Sequence, residues 1–343
     1  MMQLYDSIDI RSGKLTVSFT SDFIKTEIVL DDFWAVYEGV DLSTLDESIL
    51  NIPVLLNVAP AIWAMGVDVK VPVIDKGLAD SFEKLKSTLK GMYPKLKWDG
   101  TISAEKIADS HIDKKGRPAL FFSGGLDSVF STMRHLDEKP LLITVRGSDV
   151  SLSDDNGWEL VKNQSLQFAK KYKLEIRYIE SNFLDFLNQP MLSSLDDSIP
   201  GWWAGVQHGM GFSGLMSPIS AHYKINNLYI ASSHSKAFNS PWGSCPDIDN
   251  NISYGVLNVF HDGYEYTRHG KLKELLRICE DMHLEKPTLR VCYSNAQNSG
   301  ENCCICEKCS RTITALFVEG EDPNKYGFDI NPELFVDNAI KHI

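Results

Sequence analysis

The 343 residues suffice for one large domain with a smaller one, or for two domains of ordinary size. Hydrophobic residues make up 43% of the chain, so a core can be buried, while the net charge of -12 argues against general nucleic-acid binding, although not against a local basic patch. No apolar run is long enough for a membrane span. Residues 1–12 lack the features of a secretory signal, so we expect a cytoplasmic protein.

The first hundred residues have the pattern of a β-rich domain. Strands are predicted over 14–19, 25–30, 53–58 and 67–73, where apolar and β-branched residues alternate or run together. A helix is predicted over 79–93, because its apolar residues recur at spacings of three and four and Pro94 follows it. We therefore predict a β-rich N-terminal domain over residues 1–104.

After a polar linker at 109–118, strands and helices alternate. Strands are predicted over 119–122, 141–145, 174–179 and 228–231, and helices over 127–135, 158–172, 202–223 and 271–282. This order predicts an α/β domain over residues 105–343, built on a parallel sheet with helices on both faces.

The most informative segment joins the first of these strands to its helix and reads Ser-Gly-Gly-Leu-Asp-Ser from Ser123 to Ser128. Gly124 and Gly125 let backbone N–H groups approach an anion, and the two serine hydroxyls can donate to phosphate oxygens. Asp127 is suited to hold Mg²⁺ between phosphates. The alternative is an ordinary helix cap preceded by a glycine turn.

No lysine follows the glycines, so the segment differs from the phosphate loop of kinases and GTPases. It resembles the pyrophosphate loop (PP-loop) of the N-type ATP pyrophosphatases, which include GMP synthetase, asparagine synthetase, NAD synthetase, tRNA thiolases and 7-cyano-7-deazaguanine synthase. The resemblance implies ATP cleavage between the α and β phosphates, with Ser123 and Asp127 as catalytic residues. The implied ATP-binding residues are Ser123, Gly124, Gly125, Leu126, Asp127 and Ser128.

A cysteine cluster follows near the C-terminus. Cys303, Cys306 and Cys309 have a C-x2-C-x2-C spacing, and Cys292 lies eleven residues before the first of them. Four thiolates can close a tetrahedral Zn²⁺ site of structural type. A three-cysteine iron–sulfur cluster and buried, unligated cysteines are the alternatives. The adjacent Cys304 is expected to face away from the metal.

The segment from Arg290 to Arg311 carries these cysteines at 292–309. It is similar to the C-terminal zinc motif of the 7-cyano-7-deazaguanine synthase family, which has Gly at the position of Cys304. The resemblance covers roughly residues 119–316. It implies an ATP- and Mg²⁺-dependent conversion of 7-carboxy-7-deazaguanine, with ammonia, to its amide and nitrile.

Two segments that would hold the acceptor differ from the family pattern, at 199–208 and 240–247. The candidate substrate residues in these segments are Trp202, His208 and Asp247, and His234 lies between them. Trp202 could stack on a flat base or pack in the core. Cys245 is a candidate nucleophile if the chemistry is thiolation. The changes indicate a divergent paralogue.

The predicted reaction is adenylation of a carboxylate, on 7-carboxy-7-deazaguanine or a related deazapurine, followed by attack of ammonia or another amine and release of AMP. The amine could belong to a partner protein that docks on the N-terminal domain, and the chain could form a homodimer. ATP, Mg²⁺ and Zn²⁺ are the expected cofactors. The alternatives are a tRNA or small-molecule thiolase and a nucleotide-binding subunit without catalysis.

Overall fold

The computed structural model describes residues 2–19, 21–109, 116–238, 240–292, 301–330 and 335–336. Its strands are β1 (Met2–Gln3), β2 (Ser7–Arg11), β3 (Lys14–Ser18), β4 (Phe33–Tyr37), β5 (Asp68–Asp75), β6 (Thr101–Ala108), β7 (Arg117–Phe121), β8 (Leu141–Arg146), β9 (Ile176–Ser181), β10 (Ile225–Ala231), β11 (Ser253–Tyr254) and β12 (Leu257–Asp262). Its α-helices are α1 (Glu47–Leu50), α2 (Ile52–Met65), α3 (Lys76–Met92), α4 (Leu126–Arg134), α5 (Asp155–Lys171), α6 (Gln189–Ser193), α7 (His208–Tyr223), α8 (Pro246–Asp249), α9 (Arg268–Asp281) and α10 (Glu307–Val318).

The larger of two sheets has nine strands in the order β11-β12-β10-β7-β8-β9-β4-β3-β2. Its middle, from β12 to β9, is parallel throughout, as the alternating pattern predicts. The outer strands are antiparallel, so the sheet as a whole is mixed. The chain enters the parallel part at β7, then adds β8 and β9 on one side and β10 and β12 on the other.

Helices cover both faces of this sheet because successive strand residues point to opposite faces. Along β8, Leu141 and Ile143 belong to one core and Leu142 to the other. Helices α2 and α7 contribute side chains to the first core, and helices α4, α5, α9 and α10 contribute to the second. The protein is therefore an α/β protein.

The N-terminal hundred residues correct the prediction of a separate β-rich domain. They contain α1, α2 and α3 as well as strands, and β4 pairs directly with β9 through Ala35 and Ser181. Strands β1, β5 and β6 form a second, parallel sheet. The predicted boundary between residues 104 and 105 falls inside β6, and residues on both sides of it share the first core.

Two predicted N-terminal strands are wrong. Residues 53–58 lie inside α2, which is buried on nearly all sides, so its uniformly apolar sequence carries no helical period. Residues 25–30 overlap a π-helical turn at Ile24–Ile28. The strand at 67–73 and the helix at 79–93 are confirmed as β5 and α3, and the linker predicted at 109–118 lies largely outside the described residues.

His135, just after α4, lies between two carboxylates. Its Nδ1 is 2.5 Å from Glu138 Oε1, its Nε2 is 3.2 Å from Asp262 Oδ1, and its ring stacks on Tyr229 at 3.8 Å. Burial works to lower the pKa of His135, but the hydrogen bonds and charges of the two carboxylates outweigh it, so the pKa is raised above its ordinary 6.5. His135 is therefore charged over a wider pH range in the folded protein than in the unfolded chain.

A histidine with a raised folded pKa stabilises the protein below pH 6.5, and this contribution is lost as the pH rises through the raised value. We expect His135→Gln to lower the free energy of unfolding by up to about 1 kcal/mol just below pH 6.5 and by less at alkaline pH. Urea unfolding of both proteins across this range measures the difference. A difference that does not change with pH would contradict the assigned pKa direction.

Candidate functional site

The loop after β7 lies where the order of the parallel strands reverses. Strand β8 adjoins β7 on one side and β10 adjoins it on the other. Crevices beyond the carboxyl ends of strands at such a reversal are the usual ligand sites of open α/β sheets. The predicted phosphate-binding segment, Ser123 to Ser128, occupies this position and is called the Ser123 loop below.

Hydrogen bonds fold the Ser123 loop around the first turn of α4. Gly124 has a φ of +76°, a left-handed conformation that glycine adopts without steric cost. The Ser123 N–H donates to Ser128 Oγ at 3.2 Å, and the Gly125 N–H donates to Ser123 Oγ at 3.3 Å. The first N–H groups of a helix lack partners within the helix, so this turn is suited to an anion.

The other two residues of the loop have different surroundings. Leu126 is 1% exposed and its side chain packs in the second core, so only its backbone could contact a nucleotide. Asp127 Oδ1 accepts from Lys271 Nζ at 2.8 Å, and its Oδ2 accepts from Arg268 Nη1 at 3.0 Å. The predicted Mg²⁺ ligand is thus also the anchor of two cations from α9.

Sequence reasoning missed both of these cations. Lys271 opens the helix predicted over 271–282, where a lysine is ordinarily on the surface. In the structure its side chain is 2% exposed, and its ammonium also donates to the carbonyl of Ser232 after β10. Only the long-range contact between α4 and α9 brings Lys271 and Arg268 to the loop.

Arg290 closes the Ser123 loop from the segment that leads to the cysteines. Its backbone N–H donates to the Gly124 carbonyl at 2.8 Å, and its Nη2 donates to the Ser123 carbonyl at 2.6 Å. Burial lowers the pKa of Arg290, against the opposing charges of Asp149 and Cys292. The loop is therefore held from α9 and from the cysteine segment.

A cavity of about 470 Å³ opens beside the loop. Ser123, Gly124 and Arg290 form part of its wall. The remaining wall includes the aromatic residues Phe122, Phe168 and Phe328, the amide residues Gln164, Asn302 and Asn324, and the acidic residues Glu301 and Asp329. Its volume lies within the range of about 300–1,000 Å³ that is usual for small-molecule sites.

The two histidines predicted to contact substrate lie in one aromatic cluster. The ring of His208 is 4.7 Å from Trp203 and 6.4 Å from Trp242, and that of His234 is 4.8 Å from Trp242 and stacks on Phe238 at 3.8 Å. We call these five residues the aromatic–histidine cluster. Among the described residues, His208 Nδ1 and His234 Nε2 are buried without a hydrogen-bond partner.

The cluster is electrostatically connected to the Ser123 loop. Burial lowers the pKa of both His208 and His234, so their rings are neutral at pH 7. The charges of Asp127 and Lys271 act on His234, which follows β10 at the same edge of the sheet. Two neutral imidazoles, each with an unsatisfied nitrogen, can bind a polar ligand but carry no charge of their own.

Trp202 and Asp247, the other two predicted substrate residues, lie outside this cluster. Trp202 is 0% exposed in the first core, so it offers no face to a substrate, whereas the half-buried Trp203 takes that position. Asp247 is exposed on α8, where its carbonyl accepts from Thr88. Asp249, two residues further on, turns inward instead.

Asp249 belongs to a buried acid–histidine pair that sequence reasoning missed. Its Oδ2 is 2.7 Å from His261 Nδ1 and accepts from Ser244 Oγ at 2.7 Å. A Cβ at Gly209 would lie 1.9 Å from Asp249 Oδ1, so the glycine makes room for the carboxylate. The charge of Asp249 acts to raise the pKa of His208, against the larger effect of burial.

Four cysteine sulfurs converge as the spacing predicts. The Sγ atoms of Cys292, Cys303, Cys306 and Cys309 lie within 4.8 Å of one another, with two pairs at 4.0 Å. Tetrahedral bonds of about 2.3 Å to zinc would place sulfurs roughly 3.8 Å apart. The group could therefore hold a single metal ion, and its close spacing favours one ion over a multi-iron cluster.

Backbone geometry supports the sulfur group. Cys306 precedes α10, and its N–H donates to Cys303 Sγ at 3.3 Å, while the Cys303 N–H donates to Cys292 Sγ at 3.4 Å. The Asn302 side chain accepts from the Val291 N–H at 2.9 Å and so holds the two cysteine segments together. The site thus joins the start of α10 to the segment that carries Arg290.

The other two cysteines considered in the sequence are set apart from this group. Cys304 has a φ of +59°, the left-handed conformation that favours glycine, and its Sγ lies against the Asn302 carbonyl. The expectation that it faces away is confirmed. Burial raises the pKa of Cys245 to about 11, so it is a thiol at neutral pH and lacks the thiolate that sulfur transfer requires.

Comparison of the chain with protein-family models, with curated proteins and with solved structures finds no match in any of the three. Among the described residues, no helix combines the length and apolar character that crossing a membrane requires. The function of the chain therefore has to be inferred from its own residues.

Proposed function

We propose that the chain is an ATP-dependent ligase that adenylates a carboxylate at the Ser123 loop and releases pyrophosphate. The observation that carries this proposal is the Ser-Gly-Gly-Leu-Asp-Ser segment at the carboxyl end of β7, at the reversal of strand order and at the start of α4. Ser-Gly-Gly-x-Asp-Ser at a strand–helix turn resembles the PP-loop of the N-type ATP pyrophosphatases, and this resemblance supports the proposal.

The residues of the loop have separate roles in this proposal. The hydroxyls of Ser123 and Ser128 and the first N–H groups of α4 bind ATP phosphates. Lys271 and Arg268, held by Asp127, neutralise charge that develops on the departing pyrophosphate. Mg²⁺ adds to that neutralisation when it is bound, and Asp127 is the carboxylate suited to hold it.

The proposed acceptor is 7-carboxy-7-deazaguanine or a related deazapurine. The aromatic rings of Trp203, Phe238 and Trp242 are suited to contact a planar ring system. The unsatisfied nitrogens of His208 and His234 are suited to bind its polar edge. Ammonia or another amine would then displace AMP from the acyl adenylate.

The four cysteines would hold Zn²⁺ in a structural role. A set of four thiolates satisfies a tetrahedral ion and leaves no position open for a substrate. Bound there, the ion would fix the segment from Arg290 to Cys292 against α10.

Pyrophosphate release from ATP tests the proposal. We expect release to require 7-carboxy-7-deazaguanine and to be absent with 7-cyano-7-deazaguanine, which has the same ring system but no carboxylate to adenylate. Pyrophosphate release that depends on neither compound would support the ATP chemistry and contradict the proposed acceptor. ATP binding without release under any condition would favour a nucleotide-binding subunit, and a thiolated product would favour a thiolase.

A further inference from the structure

Arg290 brings a guanidinium to the Ser123 loop with no acidic ion-pair partner among the described residues. Other half-buried or buried arginines of the described chain are paired with acids: Arg146 lies 2.5 Å from Asp155, and Arg268 lies 3.0 Å from Asp127. In contrast, no carboxylate in the described ranges forms an ion pair with Arg290, although the charges of Asp149 and Cys292 act on its guanidinium. Removing a charge from water without a counter-ion costs free energy, so a bound anion would stabilise Arg290 at this position.

The head group of Arg290 is fixed where such an anion would bind. Its Nη2 donates to the Ser123 carbonyl, and its backbone N–H donates to the Gly124 carbonyl. Within the described residues, that Nη2 bond is the one hydrogen bond of its five-donor guanidinium. Arg290, Ser123 and Gly124 also border the same cavity of about 470 Å³.

The other cations at the loop are already engaged. Lys271 and Arg268 both pair with the Asp127 carboxylate, at 2.8 and 3.0 Å. The loop also lacks the lysine that reaches the phosphates in the loops of kinases and GTPases. Of the three cations at this loop, Arg290 is therefore the one whose charge no carboxylate of the described chain offsets in an ion pair.

We propose that Arg290 is a phosphate-binding residue of the Ser123 loop, and that the four-cysteine site holds it in position. Its planar guanidinium pairs with phosphate oxygens of a bound nucleotide on the cavity side of the loop. Only Val291 separates it from Cys292, so a metal held by the cysteines would restrain its backbone. This inference rests on the proposed nucleotide site, to which it adds a residue.

Equilibrium binding of ATP, inorganic pyrophosphate and adenosine to purified protein variants tests the inference. We expect Arg290→Gln to weaken ATP and pyrophosphate binding by about 10- to 100-fold and to leave adenosine binding unchanged. Arg290→Lys keeps the positive charge and should retain part of the affinity. Arg117→Gln is the matched control. Arg117 begins strand β7, at the end away from the Ser123 loop, and it pairs with Glu175.

Two results would overturn the inference. One is unchanged pyrophosphate affinity in Arg290→Gln; the other is an equal loss in the Gln and Lys variants, which would show that Arg290 only shapes the loop. Wild-type protein that binds pyrophosphate through Arg290 but releases none from ATP would refute the proposed ligase activity and support the inference. Wild-type protein that binds neither ATP nor pyrophosphate would overturn both.

Discussion

Replacing Asp127 with alanine is expected to slow pyrophosphate release from ATP by at least about 100-fold. The substitution removes the anchor of Lys271 and Arg268 at the Ser123 loop, and with it the carboxylate suited to Mg²⁺. It also leaves a buried ammonium unpaired, which costs about 3 kcal/mol of stability. The rate therefore has to be compared at equal concentrations of folded protein, as judged by thermal unfolding.

A double variant separates the two effects of this substitution. Replacing Lys271 with methionine together with Asp127→Ala removes the buried charge and its partner at once, so stability should recover while activity stays low. Recovery of activity together with stability would mean that Asp127 acts only in folding. Asp137→Ala, at an exposed position just beyond α4, is the control and should change neither quantity.

Loss of the metal site is expected to have the largest effect on stability. Cys309 is 0% exposed, and its sulfur completes the group of four. Binding of a structural metal contributes several kcal/mol to folding, so Cys309→Ser should lose the metal and lower the melting temperature by about 10 °C or more. Elemental analysis and thermal unfolding of the same samples provide the two measurements.

Cys304→Ser is the matched control for the metal site. Cys304 is a near neighbour in sequence but lies outside the sulfur group, so its variant should keep one metal ion per chain and an unchanged melting temperature. Equal metal content in wild type, Cys304→Ser and Cys309→Ser would contradict the assignment of Cys309 as a ligand. Iron in place of zinc in the purified protein would change the assigned metal but leave the four assigned ligands unchanged.

The parallel part of the main sheet was predictable because each strand and helix there carries its own local pattern. The alternation from Ala119 onward gives β7 to β10 in the correct order, and the Ser123 loop marks the turn between β7 and α4. The N-terminal part was less predictable, since the pairing of Ala35 with Ser181 depends on residues far apart in sequence. The buried helix α2 resembles a strand in composition, because every face of it is apolar.

Residue type identified some members of the site but not their partners. The cysteine group follows from spacing alone, since short loops bring sulfurs to one side of a metal. Lys271, Asp249 and His261 carry no such spacing, and they meet the site only through the packing of α9, α8 and β12. Trp202 and Trp203 have the same residue type, so the sequence does not distinguish them, and only the fold shows that Trp202 is the buried one.

The central claim is that ATP is cleaved between its α and β phosphates at the Ser123 loop. The most direct measurement is to separate the products of ATP incubated with Mg²⁺, the protein and 7-carboxy-7-deazaguanine, with the Asp127→Ala variant alongside. We predict AMP and pyrophosphate from the wild type and neither from the variant. ADP and inorganic phosphate, or AMP and pyrophosphate formed equally by the variant, would contradict the claim.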